Sequence, residues 1–227
     1  MKYRMMFTKK DEAKYISHLD LNRIFERACR RAGLPLAFSQ GFNPHPKISF
    51  AIPLAVGVAG EREFMELELT DELASHEVAK RLNEKLPAGI KMLEARVVED
   101  KQKPLMARVN RATYRIVYSA CDDINEQQLA AVIKKLMDKT SIEIERVVKG
   151  KTRRVDIRPN IYALDGQIVE GKIELQAELG AGTNGNVKPE ELIRELEKAG
   201  LHVADVYGVA YRTGIFSDGD QGKVELW

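Results

Sequence analysis

The chain has 227 residues, of which 44% are hydrophobic and 31% are charged, and it contains only 2 Cys. These proportions suffice for a packed core and exclude wholesale disorder. No apolar run approaches the roughly 20 residues that a membrane helix needs, and charged residues near Met1 stand where a signal peptide would be apolar. Cys29 and Cys121 form neither a disulfide framework nor a cysteine-rich metal site. We therefore expect a cytoplasmic protein that needs no metal or other cofactor.

The net charge of +2 hides an uneven distribution along the chain. Residues 1–47 hold 10 basic and 4 acidic side chains, residues 101–160 hold 14 and 7, and residues 161–227 hold 6 and 12. Clustered Lys and Arg on a folded surface attract polyanions even when the net charge is small. The alternative is that these charges scatter over different faces once the chain folds.

Hydrophobic periodicity predicts the element order β-α-β-β-α-β in the first half of the chain. The predicted strands are 2–8, 48–52, 62–70 and 90–99, and the predicted helices are 18–33 and 72–86. Thr70 or Asp71 is the expected N-cap of the second helix, which is expected to end at Pro87. The first strand is apolar on both faces, so both are expected to be covered rather than to form an exposed stacking platform.

The second half repeats this order. Strands are predicted at 112–120, 141–149, 171–179 and 201–212, and helices at 124–137 and 189–200. Two split βαβ units in tandem predict an α+β fold of two ferredoxin-like domains. The expected organisation is a domain at 1–100, a linker at 101–111, a second domain at 112–215 and a loosely held tail at 216–227, which Trp227 could anchor.

The helix at 18–33 is amphipathic and carries a basic face. Ser17 is a natural N-cap, and Asp20 lies in the first turn, where the helix dipole favours a carboxylate. The basic residues on the polar face are Arg23, Arg27, Arg30 and Arg31, with Glu26 beside them. Four neighbouring guanidinium groups repel one another, so phosphates or an acidic partner would stabilise the arrangement. A solvated helix face is the alternative.

The segment FSQGFNPHPKISF (38–50) predicts a stiff loop that presents polar side chains. Pro44 and Pro46 restrict the backbone around Asn43 and His45. Such a loop can hold His45, Asn43 and Lys47 against a ligand, or it can be a rigid crossover in which His45 contacts the backbone. Proton transfer by His45 is a third interpretation.

The densest basic segment is RVVKGKTRRVDIRP (146–159), which predicts a basic arm around a turn at 149–151. Its cationic side chains are Arg146, Lys149, Lys151, Arg153, Arg154 and Arg158. Guanidinium groups bind phosphates with two parallel hydrogen bonds, and the counterions released strengthen binding to nucleic acid. The segment therefore favours polyanion binding, without indicating any base specificity.

Sequence motifs for common catalytic sites are missing. There is no CxxxCxxC iron–sulfur motif, P-loop, HExxH or GxSxG. Residues 180–185 spell GxGxxG, but we interpret them as a turn, because the predicted strand order is not that of a parallel dinucleotide-binding sheet. Cys29 falls on the apolar face of its helix and is expected to be an inert core residue.

Three strings together resemble a known family: SHLDLNRIFERACRRAGLPLAFSQGFNPHPKISFAIPLAVG (17–57), EREFMELEL (61–69) and RRVDIRPNI (153–161). The family is the radical-SAM-associated (radical SAM-linked) domain family of unknown function. The resemblance covers most of the chain and is strongest over residues 15–70. It implies association with a separate radical-SAM enzyme that acts on RNA or the translation machinery, and it implies no activity for this chain itself.

These observations favour a non-catalytic RNA-binding accessory module that presents a substrate to a radical-SAM enzyme. The arginines of the first helix and the basic arm would contact phosphates, and Asn43 and His45 would supply specificity. One alternative is a metal-independent endoribonuclease-like enzyme, with His18 or His45 as the base. The other is an adaptor whose basic helix binds an acidic protein surface without nucleic acid.

Overall fold

The computed structural model describes residues 1–99, 103–120, 124–148, 150–183, 185–203, 208–219 and 222–227. Its fold is of the mixed α+β class, as the sequence predicts. The chain forms two compact units, here called unit 1 (Met1–Val109 with Gly214–Trp227) and unit 2 (Asn110–Thr213). Within the described ranges, no helix is long and apolar enough to span a membrane.

Unit 1 is built on an antiparallel sheet with helices between its strands. In chain order its elements are β1 (Lys2–Lys9), a 3₁₀ helix (Asp11–Tyr15), α1 (His18–Arg31), β2 (Ile48–Phe50), β3 (Ala59–Glu68), α2 (Ser75–Asn83), β4 (Ile90–Val98) and the short α3 (Leu105–Arg108). The strand order is β4-β1-β3, and β2 pairs with the end of β3 that holds Met65–Leu67. Each of these pairings is antiparallel.

The central strand β1 is buried on both faces, which confirms the expectation from its apolar sequence. Tyr3, Met5 and Phe7 join the core formed with α1 and α2. On the opposite face Arg4 is wholly buried, and its guanidinium donates to the carbonyl of Leu226 near the C-terminus. The sheet of unit 1 is therefore not an open stacking platform.

The C-terminal residues are packed in unit 1 rather than loosely held. The strand β10 (Val209–Gly219) is followed by β11 (Gly222–Glu225), and the two pair antiparallel. Leu226 is wholly buried, and the Trp227 ring lies edge-on to Phe64 at 5.1 Å between centroids and under the guanidinium of Arg96 at 4.0 Å. The indole anchors the segment because it buries a large apolar area.

The helix α2 is shorter at both ends than the predicted 72–86. Its N-cap is Ala74, without a side-chain cap, so the prediction of Thr70 or Asp71 is wrong. The reason is Tyr3, whose hydroxyl donates to the Leu73 carbonyl at 2.7 Å and accepts from the Leu73 amide at 2.8 Å. At the other end, the Asn83 side chain bonds the backbone of Met92 and ends the helix.

Unit 2 has the same alternation of strands and helices. Its elements are β5 (Arg111–Ser119), α4 (Glu126–Met137), β6 (Glu143–Val148), β7 (Lys151–Asp156), a 3₁₀ helix (Arg158–Asn160), β8 (Ile161–Val169), β9 (Lys172–Gly180), α5 (Pro189–Ala199) and the first part of β10. The strand order is β10-β5-β9-β8, and β9 is antiparallel to both β5 and β8. These antiparallel pairings are not those of the parallel sheet that a dinucleotide-binding fold requires.

Two strand predictions in unit 2 are confirmed only in part. The strand predicted at 141–149 is present as β6, but β6 and β7 form a separate two-stranded hairpin, and β8 takes the expected position next to β9. Gly150 closes the hairpin with a φ of 75°, and such local pairing competes with the longer-range pairing that we expected. The predicted strand 201–212 begins later, at Val209, and continues to Gly219. Its residues 204–207 lie outside the described ranges.

Candidate functional site

The helix α1 holds its arginines on the face turned away from the core of unit 1. The Ser17 hydroxyl accepts from the Asp20 amide at 3.2 Å and caps the helix as expected. Leu21, Phe25 and Cys29 are buried against the sheet. With about 100° of rotation per residue, Arg23, Arg27, Arg30 and Arg31 fall within an arc of about 100° on the exposed side.

The four arginines differ in their contacts. Arg23 pairs with Asp20 at 3.1 Å and Arg30 with Glu26 at 2.6 Å, and both guanidiniums are mostly exposed. Arg31 donates to the carbonyl of Lys85 at 2.6 Å. Arg27 is exposed and has no ion-pair partner among the residues that the structure describes. Exposed pairs of this kind contribute only about 0.2–1 kcal/mol each, so an incoming phosphate can displace them.

The loop between α1 and β2 is closed by backbone hydrogen bonds. The Lys47 amide donates to the Ala37 carbonyl at 2.9 Å, and the Ser39 amide donates to the His45 carbonyl at 2.9 Å. The His45 amide in turn donates to the Ser39 hydroxyl at 3.0 Å. Asn43, His45 and Lys47 are exposed, as expected of a loop that presents side chains. The ammonium of Lys47 pairs with Glu68 at 2.6 Å.

A groove of about 430 Å³ lies between α1 and this loop. Its side chains come from α1 (Leu19, Asn22, Arg23 and Glu26) and from the loop and β2 (His45, Pro46 and Ile48). The structure therefore brings together Arg23 and His45, two of the predicted site residues. Arg27, Arg30 and Arg31 share the helix face but do not line the groove.

A second groove, of about 490 Å³, adjoins the first and shares Asn22 and Ile48 with it. His18 lies here, and its ring is edge-on to Phe50 at 5.3 Å between centroids. Burial, and secondarily the charge of Lys9, lower the pKa of the His18 imidazole below its ordinary value of 6.5. The ring is therefore neutral at pH 7. His18 and His45 are candidate bases in two neighbouring grooves.

The second groove contains charged residues that the sequence reasoning missed. Glu66 accepts from Arg4 at 2.6 Å and pairs with Lys2 at 2.9 Å, and both Lys2 and Glu66 line the groove. The signal in the sequence is that charged residues interrupt the apolar residues of β1 and β3, and this could have indicated Lys2, Arg4 and Glu66. The partners could not be inferred, because the pairing register of two distant strands brings them together.

In unit 2 the predicted basic arm is the β6–β7 hairpin, and two of its arginines make internal contacts. Arg146 forms a two-pronged ion pair with Glu191, with N–O distances of 2.7 and 2.6 Å. Arg158 donates to the carbonyls of Met137, Lys139 and Ile161. Arg158 thus holds the base of the hairpin in place, and Arg146 ties the middle of β6 to Glu191 of α5.

The strand β7 of the hairpin is exposed and basic over Lys151–Arg154. Lys151 and Arg153 have no ion-pair partner within the described residues, and Arg154 approaches Glu145 only to 3.8 Å. Val147 beside them is also exposed. Lys149, a further predicted site residue, lies outside the described residues. The Arg23 groove belongs to unit 1, and this basic hairpin belongs to unit 2.

Cys29 is wholly buried in unit 1, as expected for an inert core residue. Burial raises the pKa of its thiol to about 12. The described residues contain no group of three or more His, Cys, Asp or Glu arranged to hold a metal ion. Cys121 lies outside these residues.

Among solved structures, the chain is similar to one chain of a Cbf5-Nop10-Gar1 complex, with 14% identity and a TM-score of 0.53. The match covers 94% of this chain and 48% of that one. A second similar chain is in the archaeal box H/ACA sRNP Nop10-Cbf5 complex, with 14% identity, a TM-score of 0.47 and coverages of 99% and 51%. The chain thus spans about half the length of these proteins, and at this identity the first likeness concerns the fold alone.

No match was found among curated proteins. A family profile described as "Uncharacterized protein conserved in bacteria (DUF2344)" matches residues 2–189, which is most of the sequence. The match includes α1, the loop that carries His45, and the β6–β7 hairpin. The chain belongs to this uncharacterised bacterial family, DUF2344.

Proposed function

We propose that the protein is an RNA-binding accessory module that presents RNA to a separate radical-SAM enzyme. The observation that carries the proposal is the basic face of α1, which carries four arginines, one of which, Arg23, lines a groove together with His45. The enzyme partner rests on the sequence resemblance of residues 15–70. The proposed RNA site on α1 rests on the charge and geometry of that helix and does not depend on an enzyme partner.

The charge on α1 supports a polyanionic ligand. Asp20 and Glu26 compensate only two of the four guanidiniums, and both ion pairs are exposed. Phosphate oxygens accept two parallel hydrogen bonds from a guanidinium, and their charge relieves the repulsion between neighbouring arginines. Arg27 is available for such a contact without breaking any ion pair among the described residues.

The β6–β7 hairpin of unit 2 supplies a second candidate contact with phosphates. Lys151, Arg153 and Arg154 are exposed on β7, and the paired strand β6 is fixed by the ion pair of Arg146 with Glu191. A basic side chain on a stiff support loses less conformational entropy on binding. The hairpin therefore suits sequence-independent contact with a nucleic-acid backbone.

The domain organisation belongs to the same proposal. The order β4-β1-β3-β2 in unit 1 and the order β10-β5-β9-β8 in unit 2 both support a ferredoxin-like assignment, with the β6–β7 hairpin as an insertion. The domain boundary would then fall near residue 110, and the C-terminal segment would complete the first domain. Ferredoxin-like domains serve many functions, so the role is argued from the α1 site.

The test compares two matched arginines in the full-length chain by filter binding to tRNA and rRNA fragments. Arg30 on α1 and Arg81 on α2 each pair with a glutamate four residues earlier, and the first pair is exposed whereas the second is partly buried. We expect Arg30→Gln to weaken RNA binding several-fold and Arg81→Gln to leave it unchanged. Equal effects of the two substitutions, or no binding at micromolar protein, would contradict the proposal. If the chain binds no RNA but still retains a radical-SAM protein after nuclease treatment, the result would favour the protein-binding adaptor.

Metal-independent RNA cleavage is a second candidate, favoured by two adjoining grooves that each contain a histidine. His18 is neutral at pH 7 because its pKa is lowered, so it can accept a proton. Structured RNA would be incubated with the protein in EDTA, with His18→Ala and His45→Ala as controls. If the RNA remains intact with the wild-type protein and with both variants, cleavage is rejected and RNA binding remains the proposed function.

A further inference from the structure

The tip of the loop between α1 and β2 carries a fully exposed aromatic side chain, Phe42. Phenylalanine is usually buried, because burying its ring stabilises a folded protein. Full exposure means that Phe42 gains none of this stabilisation within the part of the chain that the structure describes. Neither groove includes it, and the sequence reasoning did not single it out.

The exposure of Phe42 is fixed by the closed base of the loop. Hydrogen bonds between Lys47 and Ala37 and between Ser39 and His45 join the two sides. Gly41, with a φ of 125°, allows the chain to turn immediately before Phe42. Pro44 and Pro46 restrict the returning strand of the loop. The ring is therefore held outward rather than packed on the surface of unit 1.

The groove nearest to the ring along the chain contains polar and basic side chains. His45, three residues after Phe42 and hence within about 11 Å along the chain, lines the groove with Asn22 and Arg23, and Leu19 adds an exposed apolar side chain. Phe38, on the same loop, is also partly exposed. Exposed aromatic rings near basic side chains are typical of proteins that bind single-stranded nucleic acid, where a ring stacks on a base and the cations contact the phosphates.

We infer that Phe42 stacks on an unpaired base of the RNA and that the groove beside His45 receives the adjoining nucleotide. This inference rests on the proposed RNA-binding function and deepens it by naming the substrate class. The ligand is a single strand, a loop or a bulge rather than an uninterrupted duplex. Bases inside a duplex stack on one another and cannot offer a face to Phe42.

The test measures the affinity of the full-length chain for a short single-stranded RNA and for the same sequence within a duplex. The variants are Phe42→Ala, Phe42→Tyr and, as a matched control, Tyr15→Ala, which removes another exposed aromatic ring of unit 1. Because Phe42 is fully exposed, Phe42→Ala should leave the midpoint of thermal unfolding unchanged. Any loss of binding can then be attributed to the ring.

We expect the wild-type chain to prefer the single strand and Phe42→Ala to weaken that binding about tenfold, in line with the loss of one base stack. Phe42→Tyr and Tyr15→Ala should bind as the wild type does. If Phe42→Ala binds normally while Arg30→Gln is impaired, stacking is refuted and the RNA-binding function stands. If the wild-type chain binds no RNA, both proposals fail. If Phe42→Ala impairs only the retention of a partner protein, the loop is a protein contact and the inference is overturned.

Discussion

At the scale of single residues, Glu66 has an unusual position. It is buried on β3 and lies between the ammonium of Lys2 and the wholly buried guanidinium of Arg4. A buried carboxylate between two cations is costly to remove, because the wholly buried Arg4 then loses this negative charge. Glu68, two residues later on the same strand, instead pairs with Lys47 near the surface.

This contrast gives a matched prediction. Glu66→Gln should lower the free energy of unfolding by about 3 kcal/mol, since the amide cannot neutralise Arg4. Glu68→Gln should lower it by less than about 1 kcal/mol, because exposed ion pairs contribute little. Urea denaturation of both variants measures the difference. Equal losses would show that the buried charge cluster is not more important than the surface pair.

At the scale of elements, the two helices of unit 1 begin differently. The helix α1 has Ser17 as a side-chain cap, whereas α2 begins at Ala74 with extended backbone angles and no side-chain cap. A capping side chain satisfies a backbone amide that otherwise has no helical partner.

Ser17→Ala should therefore destabilise the protein by about 1 kcal/mol, and Ala74→Asp should stabilise it by about 0.5–1 kcal/mol. The Asp side chain would accept from an amide in the first turn of α2 and would also favour the helix dipole. Shifts of the urea midpoint in opposite directions would confirm both effects. A stabilising Ser17→Ala substitution would contradict the capping role of Ser17.

The elements also show which predictions were possible from the sequence. The helix α1 could be predicted because its cap, its apolar period and its terminal Gly33 are local signals. The start of α2 was missed because Tyr3, 70 residues away, holds Leu73 outside the helix. The place of β6 was missed because periodicity identifies a strand without identifying its partner.

The candidate site also has some features that could be predicted from the sequence and others that could not. The basic face of α1 and the exposure of the His45 loop follow from spacing and from proline positions, so the sequence indicated them. The internal contacts of Arg146 and Arg158 depend on Glu191 and on distant carbonyls. Phe42 was missed because sequence patterns do not distinguish an exposed phenylalanine in a loop from a buried one.

At the scale of the whole molecule, unit 1 contains both ends of the chain. Residues 214–227 return to it after unit 2, and Leu226 and Trp227 pack there. From the sequence we expected a loosely held tail that Trp227 could anchor. The structure instead makes it part of the unit that holds both grooves.

Leu226→Ala should lower the free energy of unfolding by about 3 kcal/mol, because a wholly buried leucine leaves a cavity. Val224→Ala is the matched control, since Val224 lies in β11 with half of its surface exposed. Equilibrium denaturation of the two full-length variants measures the effect. A loss no larger for Leu226→Ala than for Val224→Ala would indicate that the C-terminal segment does not stabilise unit 1.

The central claim is that the arginines of α1 bind RNA phosphates, and its most direct test is the salt dependence of RNA affinity. Each phosphate contact on a single strand contributes about −0.7 to the slope of log K against log salt. Four contacts predict a slope of about −3 from α1 alone. Arg27→Gln should reduce its magnitude by about 0.7, and Arg81→Gln should leave it unchanged. A slope near zero, or the same slope in Arg27→Gln as in the wild type, would contradict the claim.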